Sequence, residues 1–426
     1  MYSEPTLIIC SGTTGVNAEH AIRSVISELG KTSCEIIKLE KYLEEPYLLK
    51  LDLLAVSRNG VLTMFKKAFE EVKHRIKELI ASNKSVVLVT HLTYFRRRHI
   101  IRNPIVEWLL MEQDEDISKT SKKLLILVED YYHALLRIAE RAKQQPIFQQ
   151  IDPLAYLWWR GDELYTAITL GLVYSNKLNV YIMSVKHPKE VFKRLFEHMF
   201  NTKQYKLVYI SHPISLPRRK CLSKNSSLHS EKFVKEVQEF KCKLIRRCPN
   251  IILLDPTTID ELIYEIQDHD EDLKVKIELR DRWPLFVEDL SPPHDYSTLF
   301  PVDLSDDSIF GVLYNPSSTV CQKWYRYEMR NLITSQIEVR DFMYVYQSDY
   351  VIAYRPTLEG ALHRGVEAEL RTAIAQAKPV FAYYADENER KAMGELFNFT
   401  IPFTDPERLI DYIYNLCTKD RNDIYR

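Results

Sequence analysis

Two carboxylates late in the chain carry the clearest chemical signal. Asp341 stands in the run RDF and Glu369 in the run GVEAEL. They lie in a segment, residues 336–384, that reads as helix, strand, glycine-containing loop, helix, strand. Two carboxylates flanking a sugar carbon are the equipment for glycosidic cleavage through an oxocarbenium-like transition state. The helix after the loop is expected to start near Val366, which puts Glu369 in about its first turn. There the helix dipole favours the ionised form, and an ionised carboxylate suits a nucleophile better than a general acid. A plainer reading stands beside it. Glutamate in a first turn is common, and aspartate before a helix is often only a cap.

A second stretch has the outline of a phosphate cradle. The strand-like run TLIIC leads into SGTTGVNAEH (11–20), with Gly12, Thr13, Thr14 and Gly15 in the turn and a helical pattern after it. Glycines permit a tight backbone, and a helix start offers free N–H groups to an anion. A phosphate loop, however, carries lysine followed by serine or threonine, the first for the outer phosphates and the second for magnesium. Those two places hold Ala18 and Glu19. Binding of a nucleotide or another anion here is expected to be weak, and a purely structural turn is the competing reading. A third stretch, YISHPIS (209–215), follows a strand and offers Tyr209, Ser211, His212 and Ser215, with Arg218 and Arg219 close behind. Arginine matches phosphate oxygens in a bidentate way, so a substrate phosphate is expected against this loop.

These residues need a scaffold that delivers them to common edges. Continuous apolar runs such as SVVLVTHL (85–92), KLLILVED (123–130) and NVYIMSV (179–185) alternate with helical patterns. That is the signature of parallel strands buried on both faces, which bind ligands at their carboxyl ends. KHPKEVFKRLFEHMF (186–200) is expected to close a first domain, and YKLVYIS (205–211) to open a second with the same rhythm. The fold class expected is α/β: two three-layer domains with mainly parallel sheets, spanning 1–203 and 204–426. The second carries an insertion at about 260–320, where the composition turns to Asp, Pro and Ser.

The second domain resembles the nucleoside 2-deoxyribosyltransferase-like superfamily, which includes the deoxynucleoside monophosphate N-glycosidases. The likeness rests on Arg340-Asp341-Phe342, on Ser348-Asp349-Tyr350-Val351-Ile352, on Gly365-Val366-Glu367-Ala368-Glu369-Leu370, and on Ala377-Lys378-Pro379-Val380. It implies a flavodoxin-like sheet, Glu369 as the nucleophile of a ribosyl-enzyme intermediate and Asp341 as the carboxylate that orients nucleoside and nucleophile. It also implies substrate contacts for Asp349 and Gly365. Arg371 departs from the glycine that follows E-L in the family, and SHPIS from a more glycine-rich loop. The first domain resembles the adenylate-kinase-like group of P-loop nucleotide kinases. There EDYYHALLRIAER (129–141) follows a strand, and FRRRHIIRN (95–103) could serve as a phosphate-facing lid.

Composition narrows the rest. The formal net charge is -1 and gives no global attraction to nucleic acid or to an anionic membrane. The seven cysteines show no CxxC spacing, so neither a metal site nor a disulfide framework is expected. No apolar run approaches the ~20 residues of a membrane span, and no secretion signal opens the chain, so a cytoplasmic protein is expected. The expected partners are a nucleotide or nucleoside substrate and further copies of the chain, as a homo-oligomer. No cofactor is required by this reading, although the first domain could hold a nucleotide. The leading expectation is an N-glycosidase or N-deoxyribosyltransferase acting on a nucleotide, a nucleoside or an NAD-type dinucleotide. A non-catalytic nucleotide sensor, or an unusual nucleotide kinase using the first domain, are the alternatives.

Overall fold

The computed structural model describes residues 4–30, 34–43, 58–96, 99–131, 133–135, 137–138, 153–214, 228–259, 319–356 and 364–418. The chain divides into two compact units. One is Met1–Val185 with Phe196–Thr202 and Ser297–Gln336, and the other is Lys186–Leu195, Lys203–Tyr296 and Ile337–Arg426. The stretch expected to close the first domain is divided, with Lys186–Leu195 in the second unit and Phe196–Thr202 in the first. Residues 260–318 of the expected insertion, with Ser215, Arg218, Arg219, Arg97, Arg98 and Gly360, lie outside the described residues.

The first unit contains β1 (Thr6–Ser11), α1 (Ala18–Glu28), β2 (Cys34–Lys38), α2 (Arg58–Ala81), β3 (Ser85–Val89), a hairpin of β4 (Thr93–Arg96) and β5 (His99–Arg102), α3 (Ile105–Met111), α4 (Glu115–Lys119), β6 (Ser121–Val128), α5 (Pro153–Val173) and β7 (Leu178–Ser184). Its main sheet is parallel in the order β2-β3-β1-β6-β7. Every residue of β1 is buried, as an interior strand covered on both faces requires. The strand order reverses direction at β1, so the loop after β1 lies at the switch point where such sheets accept ligands. Its glycines answer to packing. A Cβ on Gly12 would come within 2.7 Å of the Leu127 carbonyl oxygen. Gly15 has a φ of +102°, and a Cβ there would come within 2.6 Å of the Ala134 carbonyl oxygen.

The helix α6 (Lys189–Met199) leads toward the second unit, which contains β8 (Lys206–Ser211), α7 (Leu228–Arg247), β9 (Ile251–Leu254), the later turns of α8 (Thr319–Gln347), β10 (Tyr350–Arg355), α9 (Arg364–Ala375), β11 (Val380–Tyr384), α10 (Glu387–Met393), β12 (Ile401–Phe403) and α11 (Pro406–Thr418). The sheet is parallel in the order β12-β11-β10-β8-β9. Counted from its own first strand this is the flavodoxin-like order 2-1-3-4-5, whose switch point lies between β8 and β10. Successive side chains on these strands face opposite helical layers. Tyr354 stacks on Phe240 of α7, with ring centroids 4.0 Å apart, whereas Tyr209 meets Tyr344 of α8 at 6.2 Å. Both units are thus three-layer α/β structures with parallel sheets. No helix among the described residues is long and apolar enough to cross a membrane.

The Gly15 geometry has a measurable consequence. Gly15→Ala should lower stability by more than about 1 kcal/mol, since it adds both left-handed backbone strain and a clash against main chain. Denaturant unfolding monitored by fluorescence reads this directly. An unchanged midpoint would mean that the loop relaxes around the methyl group.

Candidate functional site

At the switch point of the second unit the carboxyl end of β8 meets α9. Ser211, the last residue of β8 and fully buried, donates its hydroxyl hydrogen to Glu369 Oε2 at 2.5 Å. Tyr209 lies two residues earlier on the same face. Its buried hydroxyl sits close enough to Glu369 to favour the ionised carboxylate, without completing a hydrogen bond of full geometry. Asp341 is the second acidic group felt by Glu369. Both Arg340 Nε and Nη2 donate to Asp341 Oδ1, at 2.9 and 2.8 Å. Arg340 itself lies 6.0 Å from the Tyr344 ring. The structure therefore brings Asp341, Glu369, Tyr209 and Ser211 together, although Ser211 and Glu369 are 158 residues apart in sequence.

The electrostatics correct one expectation. Glu369 is the sixth residue of α9, in its second turn, and Glu367 occupies the first turn. The helix dipole therefore does not hold Glu369 ionised. Burial of the carboxyl, followed by the Asp341 charge, pushes its pKa up to about 8 against the pull of Ser211, Tyr209 and Arg340. Burial also raises Asp341, with Arg340 opposing. The two carboxyls titrate as a pair, and a like-charged pair retains a proton that an isolated carboxyl would lose. We assign that proton to Glu369 because Asp341 has the guanidinium. The same two acids push the Tyr209 hydroxyl well above its ordinary value, after burial. Asp341 lies in the helical run that precedes β10, within α8, which continues to Gln347.

A supporting shell went unread in the sequence. Asp255, just after β9, binds Lys241 of α7 at 2.9 Å, and accepts from both the Thr257 amide and its hydroxyl. Burial opposes its ionisation, but Lys241 and His212 outweigh burial and hold its pKa below the usual carboxylate range. The Asp255 amide donates to His187 Nε2 at 3.1 Å, and the His187 ring meets Tyr344 edge-on. His212 is buried with Nδ1 3.2 Å from the Pro213 carbonyl oxygen, and is held electrostatically by Asp255. The legible clue was a single aspartate ending an apolar strand, IILLD, since strand ends are where polar groups of such sheets converge.

One expected contact lies elsewhere. Asp349 precedes β10, at the amino ends of the strands, opposite to Ser211. Its carboxylate accepts from the Leu207 amide at 2.9 Å and meets Lys206 at 3.3 Å. It ties the start of β8 to β10 and has no place at the substrate edge. Gly365 is the second residue of α9, and a Cβ there would meet nothing within 4 Å, so no close packing requires glycine at that position.

In the first unit the cradle is closed from within. Glu163 of α5 is buried and accepts from the Leu92 and Thr93 amides, each at 2.8 Å, from the Thr93 hydroxyl at 2.6 Å, and from the Ser11 hydroxyl. Burial still raises its pKa, against His91 and these donors. The loop carbonyls are occupied too. His91 Nδ1 meets Gly12 O at 2.6 Å, and Arg137 Nε donates to Gly15 O at 2.5 Å while its Nη2 pairs with Glu129. Thr13 is buried with its hydroxyl 2.7 Å from that of Tyr156, and Thr14 is half-buried beside it. Glu19 pairs with Arg23 and Lys38. Sequence reading missed α5 and Glu163. The signal was a charged residue inside a helix that is otherwise apolar around most of its circumference. Among the described residues no group of three or more His, Cys, Asp or Glu is placed to hold a metal.

No family model matches the chain, and no curated protein matches it. Among solved structures the chain is similar to one from a study of the PezAT chromosomal toxin-antitoxin system of the human pathogen Streptococcus pneumoniae. That likeness covers 42% of this chain and 68% of the other, at 13% identity and a TM-score of 0.28.

Two measurements follow from these geometries. Calorimetry with ATP, ADP and AMP, with and without magnesium, should show no binding tighter than about 1 mM through Gly12–Gly15, because helix-dipole and backbone donors alone are weak and Glu163 adds a like charge. Abolition of tighter nucleotide binding by a Gly12 or Gly15 variant would overturn this. Separately, Glu369→Gln should stabilise the protein at high pH. The folded pKa of about 8 exceeds the ordinary 4.5, so the contribution of Glu369 to stability is full below pH 4.5 and is lost as pH rises to about 8. Thermal melts should show the variant gaining on wild type across that window by at least about 1 kcal/mol, roughly 2–4 °C. A pH-independent difference between the two proteins would show that Glu369 ionises normally.

Proposed function

We propose that the second unit cleaves the N-glycosidic bond of a nucleotide, a nucleoside or an NAD-type dinucleotide, with Glu369 as the nucleophile. The observation that carries this reading is the convergence of Glu369, Asp341, Ser211 and Tyr209 at the switch point between β8 and β10. The resemblance of GVEAEL and RDF to the nucleoside 2-deoxyribosyltransferase-like superfamily supports it. In this mechanism the Glu369 carboxylate forms a bond to the anomeric carbon as the bond to the base breaks, and the departing base takes its proton from solvent water, the hydroxide left being neutralised by the proton that the later hydrolysis releases. Water then breaks the glycosyl ester, or a second base does so in a transfer reaction. Ser211 fixes the carboxylate by its hydrogen bond, and Tyr209 offers a second hydroxyl as charge grows on it. Asp341, held by Arg340, faces the positive charge that develops on the sugar.

The raised pKa of Glu369 is part of this reading. An empty site that keeps the proton protects a buried carboxylate from standing unpaired, and the cationic sugar of the transition state favours the ionised form. Since kcat/KM reports the free enzyme, it should rise with pH through about 8 as Glu369 ionises. Asp341→Asn should move this limb to lower pH, because it removes the neighbouring negative charge.

The test is to incubate the protein with a panel of nucleosides, nucleotides and NAD, and to follow free base by chromatography. Glu369→Gln should reduce release by about 10³-fold or more while the fold persists, the scale of loss when a nucleophile is removed. Wild-type turnover in that variant, or a rate that falls with pH through 8, would remove Glu369 from the nucleophile role.

A further inference from the structure

Arg355 ends β10, the central strand of the second sheet, one strand from Ser211. Ser211 pairs with Ala353, so Arg355 lies two residues further along and its side chain leaves the same sheet face as Tyr209 and Ser211. From strand spacing and rise, the Arg355 and Ser211 Cα atoms are about 8 Å apart. The side chain is 1% exposed. Its Nε donates to Glu389 Oε2 at 2.8 Å, and Nη2 lies 2.6 Å from the same oxygen. Glu389 is itself buried. Among the described residues Nη1 has no hydrogen-bond partner, and Nη2 has no bond of full geometry. One carboxylate oxygen thus serves one edge of the guanidinium, and the edge formed by Nη1 and Nη2 has no acceptor of its own among the described residues.

That edge is unusual. A guanidinium stays ionised at any physiological pH and presents five donors in a rigid fork. Burying unfilled donors is unfavourable, and more so on a charged group. The edge is also the one that grips a tetrahedral oxyanion through two parallel bonds. It lies at the carboxyl ends of parallel strands, the side on which such sheets bind ligands. We propose that Arg355 anchors a phosphate group of the substrate through its free edge, so that the site takes a phosphorylated nucleoside in preference to a neutral one. This rests on the glycosidase reading for the identity of the substrate, but not for the binding of phosphate. Glu389 holds Arg355 in place and offsets part of its charge, which limits affinity in the empty site.

The test uses the full chain and inorganic phosphate as the probe. Thermal melting is followed in potassium phosphate, with potassium chloride and potassium acetate at matched ionic strength as the other arms. Wild type should show a saturable rise in Tm with phosphate alone, as a ligand that binds only the folded state requires. Arg355→Lys keeps the charge but loses the fork, and should weaken the apparent phosphate affinity at least tenfold. Glu389→Gln should melt lower without phosphate and gain more from it, an improvement that a purely structural Arg355–Glu389 pair would not produce. Glu369→Gln should retain the full phosphate effect. The proposal fails if wild type shows no saturable phosphate effect, if acetate reproduces it, or if Arg355→Lys matches wild type. If the phosphate effect behaves as stated and no nucleotide releases base, the glycosidase reading alone fails. Base release without an Arg355-dependent phosphate effect sinks only the anchor.

Discussion

A carboxylate buried at the carboxyl end of a parallel sheet is the interaction on which each unit turns. Removing such a group from water is unfavourable and raises its pKa, by an amount that the surrounding donors oppose. Glu163 is raised although two amides and two hydroxyls donate to it. Glu369 has fewer donors, with one completed hydrogen bond, one nearby hydroxyl and a like charge. The first arrangement is a structural plug. The second is a poised group, because whatever supplies the missing stabilisation, such as a cationic sugar in flight, alters its protonation.

The groups around Glu369 are arranged to keep that poise stable. Arg340 neutralises Asp341, and Lys241 neutralises Asp255, so two of the three acids near one strand edge carry their own counter-charge. Glu369 alone among the three depends on hydroxyls. The His187 ring meets Tyr344 edge-on and accepts from the Asp255 amide, and His212 is buried close by. A lower local polarity strengthens each remaining interaction, which is why the Asp341 charge reaches Glu369 so effectively.

The glycine loop of the first unit makes sense on the same terms. Its outline matches a phosphate cradle, yet the glycines are demanded by Leu127 and Ala134 pressing on the backbone. Its carbonyls are spoken for by His91 and Arg137.

What the sequence by itself determined is the periodic part of the molecule. Continuous apolar runs bounded by helical patterns read as strands covered on both faces, so the α/β class, the parallel sheets and the positions of Ser211 at the end of β8 and Glu369 in the helix after β10 were legible from local pattern. Glu369 and Asp341 were singled out by the resemblance of GVEAEL and RDF to a family pattern rather than by their spacing. What only the tertiary structure decided is everything that depends on which edges meet. Asp349 and Ser211 looked alike as polar residues flanking strands, but parallel pairing sends them to opposite edges. Asp255 and Glu163 gave no local sign of their partners, which lie on other elements. The protonation of Glu369 is likewise beyond local sequence. Desolvation and like charge act through space, and the helix dipole that sequence position suggested falls off within the first turn, one turn before the residue it was meant to ionise.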